Sequence, residues 1–330
     1  MSVAGGSSPS LLGPLERIGP LRRLDRWLHA MPHPRLVVEI ATSHVAAARW
    51  GNNRGNLESF GIEPLDLGTI AASPLEANVA KGHAVHAALR RVFARVPHHG
   101  NPVALLIPDP AVRVFILPFE NLPRRADEAL PLLRWRLKKS VPFEMDETAV
   151  SWTRQGGRDG KIEIVVAVAR QQIVREYEEI VEESTASVGV VLSSTLASLA
   201  LLEERGATLL IRMSGRTLTT VVVNGSNLTV YRSSEMPAEA PVLDPRAMLD
   251  EIFPAVAYFQ DTWGGMIDRI RLAGFGAREG EFRDAISGEL RITAGSLAEG
   301  PEGLHLPSIA KDLARRGFDP LVGWMLNAGA

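Results

Sequence analysis

The chain has 330 residues, a formal net charge of −2, 45% hydrophobic and 22% charged residues, and no cysteine. These values are typical of a globular protein of about two domains, and they exclude structural disulfides, thiolate metal sites and bulk nucleic-acid binding. No apolar run reaches the roughly 18 residues that a membrane-spanning helix needs, and the N-terminus lacks the features of a signal peptide. The sequence therefore predicts a cytosolic protein.

The first 33 residues are predicted to form a separate arm. A Ser/Gly/Pro-rich start is followed by apolar residues at spacings of three and four, a pattern that predicts an amphipathic helix. Its apolar stripe includes Leu24, Trp27 and Leu28, and arginines supply a basic side. Two interpretations remain open: a helix packed on its own domain, or an element that lies on an anionic membrane surface or a partner helix.

The globular body begins with three strands, a helix and a fourth strand. The predicted strands are residues 36–40, 45–50 and 57–64, the helix is residues 79–96, and the fourth strand is Val103–Ile107. The last of these is a short, uninterrupted apolar run, which indicates a strand buried on both faces.

The most distinctive stretch runs from Val103 to Phe143. After the buried strand come a Pro-Asp-Pro turn, a second strand at residues 112–117 that stops at Pro118, and an amphipathic helix from about residue 125 to 140. Four cations, which suit the negative end of a helix dipole, mark the end of this helix. They are Arg134, Arg136, Lys138 and Lys139, and Val141-Pro142-Phe143 follows them.

This order of elements resembles the type IV pilus assembly protein PilM, of the actin-like superfamily that also contains the division protein FtsA. The resemblance extends from about Pro34 to Gly323. It implies an α/β protein with an actin-like two-lobed fold, a ribonuclease H-like duplicated βββαβα unit with an extra FtsA/PilM-type subdomain. The implied boundaries are an arm at residues 1–33, lobe 1 at 34–112 and 189–205, the inserted subdomain at 113–188, and lobe 2 at 206–330.

The remaining pattern agrees with this division. Strands at residues 149–154 and 162–169 precede a helix at 171–186, whose glutamates are predicted to form a solvated face. A strand at 190–192 and a helix at 193–204 capped by Ser193 complete lobe 1. Lobe 2 has predicted strands at 208–213, 218–223, 227–232 and 267–272, helices at 244–262 and 318–327, and a hairpin turn at Asn224-Gly225.

In the actin-like superfamily, the turn after the first strand of each lobe holds nucleotide phosphates and usually reads Asp-x-Gly. Lobe 1 has Glu39 and Ala41 at the matching positions, and only the hydroxyls of Thr42 and Ser43 remain. In lobe 2 the aspartate falls at Ile211 or Arg212, so no carboxylate remains there to order Mg²⁺. The candidate nucleotide-binding residues are Glu39, Thr42, Ser43, Ser214, Gly215, Gly274, Gly276 and Ala277.

The last three candidates belong to the turn Gly274-Phe275-Gly276-Ala277, which resembles the superfamily's adenosine loop. A tight strand-to-helix turn explains the same glycines equally well. The degraded phosphate loops predict a pseudo-ATPase without catalytic residues or a metal site. The one cofactor that the resemblance allows is ATP with Mg²⁺, bound without turnover.

The resemblance implies a cytoplasmic scaffold at the periphery of the inner membrane, part of a type IV pilus assembly complex and hence of twitching motility. Its partner would be the cytoplasmic N-terminal tail of a PilN-like bitopic membrane protein, and a homo-oligomer is left open. The predicted tail-binding residues are Arg134, Arg136, Lys138, Pro142 and Phe143. The alternative for these residues is an ordinary core with solvating cations. The alternative functions are a nucleotide-hydrolysing actin-like ATPase and a GspL-like secretion component.

Overall fold

The computed structural model describes residues 33–51, 56–158, 160–184, 186–236 and 244–327. The predicted N-terminal helix with Leu24, Trp27 and Leu28 lies outside these residues. The strands are β1 (Leu36–Ile40), β2 (His44–Trp50), β3 (Leu57–Pro64), β4 (Val103–Ile107), β5 (Arg113–Phe119), β6 (Thr148–Gly156), β7 (Ile162–Arg170), β8 (Val188–Ser193), β9 (Ala207–Ser214), β10 (Thr217–Asn224), β11 (Asn227–Glu235), β12 (Arg269–Ala273) and β13 (Ala294–Ser296). The helices are α1 (Gly82–Arg95), α2 (Ala126–Leu137), α3 (Gln171–Glu182), α4 (Ser194–Ser198), α5 (Pro245–Trp263), α6 (Glu279–Leu290), α7 (Ser308–Leu313) and α8 (Asp319–Asn327).

Lobe 1 is built on a five-stranded sheet in the order β3-β2-β1-β4-β8. The first three strands form an antiparallel meander, and β4 and β8 run parallel to β1. Every residue of β1 and β4 is buried, because both faces of these central strands are covered. The predicted buried strand at Val103–Ile107 is confirmed.

Lobe 2 repeats this arrangement in the order β11-β10-β9-β12-β13. Its meander is again antiparallel, and β12 lies parallel to β9 as β4 lies parallel to β1. The hairpin between β10 and β11 turns at the predicted Asn224-Gly225, where Gly225 has a φ of 58° that few other residues tolerate. The duplicated topology confirms the predicted actin-like fold class.

The inserted subdomain is an antiparallel sheet in the order β5-β7-β6 with α2 on one face. Ala129, Leu133 and Leu137 of α2 pack on this sheet with Ile164 and Val166 of β7. The strand predicted to stop at Pro118 continues to Phe119. Proline is tolerated there because β5 is an edge strand, so no ladder hydrogen bond is lost on its free side.

The structure assigns α3 to lobe 1 rather than to the inserted subdomain, where the predicted range 113–188 had placed it. Tyr177 and Val181 of α3 belong to the same buried cluster as Val85 and Leu89 of α1. The chain between the parallel strands β4 and β8 has to cross a face of the sheet, and α3 is the part of this connection that packs on that face beside α1. The inserted part is therefore closer to residues 113–170.

Two local predictions also need correction. The helix predicted over residues 193–204 is only α4 followed by a 3₁₀ turn, and Ser193 does not cap it; its hydroxyl instead lies 3.3 Å from that of Tyr231. The glutamates of α3 are not all solvated, since Glu176 accepts hydrogen bonds from the backbone N–H groups of Asn78 and Val79 at 2.8 and 2.7 Å.

The final helix, α8, packs between the lobes. Trp324 is fully buried and donates its indole N–H to the carbonyl oxygen of Pro34 at 2.9 Å. Gly323 lies so close to α4 that a Cβ atom would stand 2.1 Å from the carbonyl oxygen of Ala197. This helix therefore brings its first residue, Asp319, into the cleft between the two sheets. Within the described residues, the structure contains no helix long and apolar enough to cross a bilayer.

Candidate functional site

The first hairpin of each lobe presents one charged side chain to the cleft. In lobe 1 the turn closes with a hydrogen bond from Ala41 N–H to the carbonyl of His44, and in lobe 2 it closes at the Ser214–Thr217 pair. Glu39 and Arg212 each lie two residues before these closing positions. They are therefore equivalent in the two repeats. Of the two residues that the sequence allowed at this position of lobe 2, Ile211 and Arg212, the structure places Arg212 there.

Arg212 is a buried cation surrounded by three carboxylates from separate parts of the chain. Its Nε donates to Asp319 Oδ2 at 2.8 Å. Its two terminal nitrogens lie 3.7 Å from Glu39 Oε1 and 3.7 Å from Asp109 Oδ2. Arg212 is 2% exposed, and the three acids are 0–3% exposed. We refer to these four residues, Glu39, Asp109, Arg212 and Asp319, as the charge cluster.

Hydroxyl groups hold the acids of the charge cluster in place. Ser194 Oγ donates to Glu39 at 2.7 Å, and Ser198 Oγ donates to Asp319 at 2.6 Å, so α4 supports both from the same side. The Asp109 carboxylate accepts hydrogen bonds from both lobes. Its donors are the backbone N–H and hydroxyl of Thr195 in lobe 1, and the hydroxyls of Thr219 and Tyr231 in lobe 2, at distances of 2.5 to 3.1 Å.

The charges of the cluster are set by this packing. Burial alone would raise the pKa of Glu39, but its contacts with His44, then with Arg212 and Ser194, outweigh burial and lower that pKa. Burial dominates at Asp319 and raises its pKa in spite of Arg212 and Ser198. For Arg212, the nearby acids outweigh burial and raise the pKa, which keeps the guanidinium charged. At neutral pH, Glu39 and Arg212 therefore form a charged pair across the cleft.

The charge cluster does not fit a metal–nucleotide complex. Its formal charges sum to a negative value, which repels phosphate groups, and the guanidinium already fills the space among the carboxylates where a cation would be attracted. In the part of the chain that the structure describes, no group of three or more acidic, histidine or cysteine side chains could hold a metal ion.

The two turns after these strands contact each other. Gly215 has a φ of 59°, and a Cβ atom on it would stand 2.6 Å from Thr42 Oγ1. Thr42 is the residue of lobe 1 that corresponds to Gly215, so the two predicted phosphate loops meet at equivalent positions. The predicted residues Thr42, Ser43, Ser214 and Gly215 are thus brought together at the cleft.

The predicted adenosine turn packs on the end of β9, directly before Ser214 and Gly215. Gly274 has a φ of 81°, and a Cβ atom on it would stand 1.9 Å from the carbonyl oxygen of Met213, so close packing on β9 explains this glycine. Phe275 is buried against Phe282, with ring centroids 4.7 Å apart. Gly274, Gly276 and Ala277 are not among the residues that line the cavity described next.

A cavity of about 990 Å³ opens beside the charge cluster. It is bounded by residues 65–77 of lobe 1, residues 110–114 at the start of the inserted subdomain, and residues 215–217 and 231–235 of lobe 2. We call it the three-way cavity. Tyr231 connects the two features, because it lines the cavity and donates its hydroxyl hydrogen to Asp109.

The lobe 1 wall of the three-way cavity is firmly anchored. Asn78 is fully buried, and its side-chain amide donates to the carbonyl oxygens of Ser73 and Glu76 at 2.9 and 2.7 Å. The Tyr177 hydroxyl donates to the Asn78 side-chain oxygen at 3.1 Å. Together with Glu176, these contacts fix an otherwise irregular loop, so the cavity has a preformed wall.

The predicted tail-binding residues are not part of this cavity. Arg136, Lys138 and Pro142 are exposed, Phe143 is half-buried against the α2 cluster, and Arg134 donates to the carbonyl of Thr148 at 3.3 Å. They lie on and after α2, and the cavity takes its inserted-subdomain residues from the start of β5. Their role in binding a tail stays a prediction, separate from the cavity.

Known structures identify this architecture. No protein-family model matches the sequence, and no curated protein matches it. A chain of the PilM–PilN type IV pilus biogenesis complex is 15% identical and superimposes with a TM-score of 0.75, covering 91% of this chain and 100% of that one. The chain has a PilM-like, actin-like fold.

Two further solved structures are similar at lower TM-scores. One is a protein of Bacteroides thetaiotaomicron with an actin-like ATPase fold, 10% identical, with a TM-score of 0.49 and coverage of 82% of this chain and 93% of that one. The other is the cytoplasmic domain of EpsL, an inner-membrane component of the type II secretion system of Vibrio cholerae. It is 11% identical, with a TM-score of 0.45 and coverage of 72% and 81%. Within the PilM-like fold, the charge cluster and the three-way cavity are the candidate functional features of this chain.

Proposed function

We propose that this chain is a PilM-like scaffold of a pilus or secretion assembly complex, which holds the cytoplasmic tail of a bitopic membrane protein in the three-way cavity. It would do so as a pseudo-ATPase, without hydrolysing nucleotide. The observation that carries the proposal is a preformed cavity beside an interlobe site in which Arg212 stands at the position of an acid.

The shape of the cavity supports an extended ligand. Residues 231–235 of β11 and residues 112–114 at the start of β5 line it consecutively. Because side chains alternate along a strand, consecutive lining residues mean that the strand edge faces the cavity. Both β5 and β11 are edge strands of their sheets, so their backbone groups are available to an extended peptide.

Charge supports the same proposal. Arg216 and Arg232 line the cavity but have acidic neighbours, at 3.4 Å from Glu235 and 3.0 Å from Glu251. Arg113 is exposed at the rim and has no ion pair with a described residue. A tail with an acidic group opposite Arg113 would gain in association rate more than in affinity.

The charge cluster supports independence from nucleotide. In the actin-like superfamily a metal–nucleotide complex lies between the lobes, where it interacts with groups of both. Here Arg212 of lobe 2 contacts Glu39 and Asp109 of lobe 1 directly. The two lobes are thus held by the chain itself, and partner binding would require no nucleotide.

The test is binding of a synthetic peptide with the cytoplasmic N-terminal tail sequence of a PilN-like bitopic membrane protein from the same organism. Fluorescence anisotropy of the labelled peptide should give saturable binding without ATP. Replacing the half-buried cavity residue Ala72 by Trp should weaken binding at least tenfold, because the indole fills peptide space.

The matched control is Ala80→Trp, at an exposed position outside the cavity, which should bind as the wild type does. Both variants are first compared by thermal unfolding, so that a folding defect is recognised. Equal affinity of the wild type and a folded Ala72→Trp variant would reject the cavity as the tail site. Arg113→Glu provides a second, non-steric variant and should mainly slow association.

A further inference from the structure

One surface of the inserted subdomain takes no part in the three-way cavity. On α2 and the turn that follows it, Leu132, Trp135, Arg136 and Lys139 are spaced by three, one and three residues, so they share one stripe of the helix. Trp135 is 76% exposed and Leu132 is 43% exposed. We call this set the α2 stripe.

The exposure of the α2 stripe does not result from poor packing of α2 on its own subdomain. An adjacent face of α2 already supplies fully buried residues to the subdomain core, and these are Ala129, Leu133 and Leu137. A tryptophan at three-quarters exposure therefore contributes nothing to that core. Tryptophan is enriched at protein interfaces and in the interfacial belts of membranes, where one end of its ring is apolar and the other is wet.

The charged side chains that follow or immediately precede Trp135 in α2 are all cations. Between residues 131 and 143 the charged side chains are Arg134, Arg136, Lys138 and Lys139. Arg136, Lys138 and Lys139 are exposed and have no ion pair with a described residue, whereas Asp127 and Glu128 at the other end of α2 are already paired with Arg125. The surface that covers the α2 stripe should therefore be anionic.

We propose that the α2 stripe docks on the anionic headgroup surface of a lipid bilayer. The stripe is the outer side of a helix, and a peptide partner needs a groove or a free strand edge, which this chain offers at the cavity instead. A fluid bilayer adapts to a convex surface. Tryptophan prefers the membrane–water interface, and cations next to it bind acidic headgroups. The proposal does not depend on the identity of the tail-binding partner.

Co-sedimentation of the full-length chain with vesicles provides the test. Binding should be clear with vesicles that contain phosphatidylglycerol and weak with vesicles of phosphatidylcholine alone. Each cation removed should weaken binding about fivefold, so Arg136→Glu combined with Lys139→Glu should weaken it by well over tenfold. The matched control is Lys81→Glu with Arg90→Glu, two exposed cations at α1, which should have little effect.

Depth-dependent quenching of tryptophan fluorescence distinguishes insertion of Trp135 from insertion of any other tryptophan of the chain. Brominated lipids placed in anionic vesicles should quench the fluorescence of the wild type, and much of that quenching should disappear in Trp135→Phe. The control is Tyr258→Phe, another aromatic residue that is 54% exposed. The N-terminal arm carries its own Trp27, so its contribution would persist in both variants.

Full vesicle binding by the double-Glu variant, or unchanged quenching in Trp135→Phe, would overturn the proposal. Absence of wild-type binding to anionic vesicles would also overturn the proposal. It would favour an acidic protein partner for the stripe. The single variant Lys139→Glu, which keeps the predicted tail-binding residue Arg136, should lose part of its vesicle binding and still bind the tail peptide, because Lys139 lies outside the cavity. Loss of vesicle binding alone would thus distinguish this proposal from the proposed function.

Discussion

The first hairpins of the two lobes have the same backbone and opposite charge. The β1–β2 hairpin presents Glu39 to the cleft, and the β9–β10 hairpin presents Arg212 at the equivalent position. Two acids facing each other across a buried cleft would repel unless a bound cation joined them. An acid and an arginine attract without one. A single change of residue type thus turns a ligand-dependent contact into a contact built into the chain.

The turns of the two hairpins differ in a second way. Lobe 1 has Thr42 where lobe 2 has Gly215, and the two residues meet across the cleft. Gly215 has a positive φ, and Thr42 does not. The pair is therefore asymmetric in shape as well as in charge, and each difference can be tested separately.

The largest loss of stability should come from removing the positive charge of Arg212. Arg212→Met leaves three buried carboxylates without their counter-charge, and a buried pair broken on one side costs about 3–5 kcal/mol. The free energy of unfolding, measured by urea denaturation, should fall by that amount.

Arg216→Met is the matched control in the same hairpin. Arg216 is 44% exposed, and its ion pair with Glu235 is worth at most about 1 kcal/mol. If the two variants lost equal stability, the charge cluster would have no special role in holding the lobes.

The second prediction uses pH to compare the acids on the two sides of Arg212. The folded state lowers the pKa of Glu39, so its contribution to stability is present above its ordinary pKa and is lost as the pH falls through the folded value. The folded state raises the pKa of Asp319, so its ionisation lowers stability as the pH rises through the folded value.

The expected outcome is a pair of opposite trends. The cost of Glu39→Gln should grow as the pH rises from acid to neutral, and the cost of Asp319→Asn should shrink. Each pKa unit between the folded and unfolded states is worth about 1.4 kcal/mol, so unfolding free energies measured at several pH values resolve the trends. Parallel trends for both variants would contradict the asymmetry.

The smallest loss of stability should come from disturbing the contact between the two hairpin turns, at Thr42 and Gly215. Gly215→Ala should lower the free energy of unfolding by about 1–2 kcal/mol, because alanine is strained in the left-handed backbone conformation of Gly215. The close contact of the new Cβ atom with Thr42 should lower it further. A double-mutant cycle with Thr42→Ala should recover only that further loss, about 0.5–1 kcal/mol. Gly276→Ala is the control, because Gly276 has a φ of 54° and no atom within 4 Å of the added Cβ. A zero coupling energy would mean that the turns do not touch in solution.

Local patterns were enough to predict most of the fold. The buried run Val103–Ile107 and the Asn224-Gly225 hairpin are marked by neighbouring residues, and the repeated meander is marked by strands that follow one another along the chain. All three are confirmed. The place of α3 was predicted wrongly because its amphipathic pattern marks a buried face without saying which sheet covers it. The packing of Tyr177 and Val181 with the buried residues of α1, which only the tertiary fold reveals, decides it.

The charge cluster was predicted only in part. Glu39 and the candidate position of Arg212 follow from counting along hairpins, since both lie beside a recognisable turn. Asp109 and Asp319 could not be found in this way, because they reach the cleft from a Pro-flanked 3₁₀ turn and from the last helix. An aspartate between two prolines and one at the start of an apolar helix are ordinary cap and turn residues in a sequence. Only the tertiary fold brings them within reach of the guanidinium.

Titration of the wild-type chain with ATP and Mg²⁺ in a calorimeter, followed by a phosphate-release assay, tests most directly whether the charge cluster has replaced a bound nucleotide. Because the cluster is net negative and already contains its cation, we expect no saturable heat and no phosphate release above background. The unfolding temperature should be the same with and without the nucleotide. Saturable binding with phosphate release that disappears in Glu39→Ala would contradict the account and would make the chain an active ATPase.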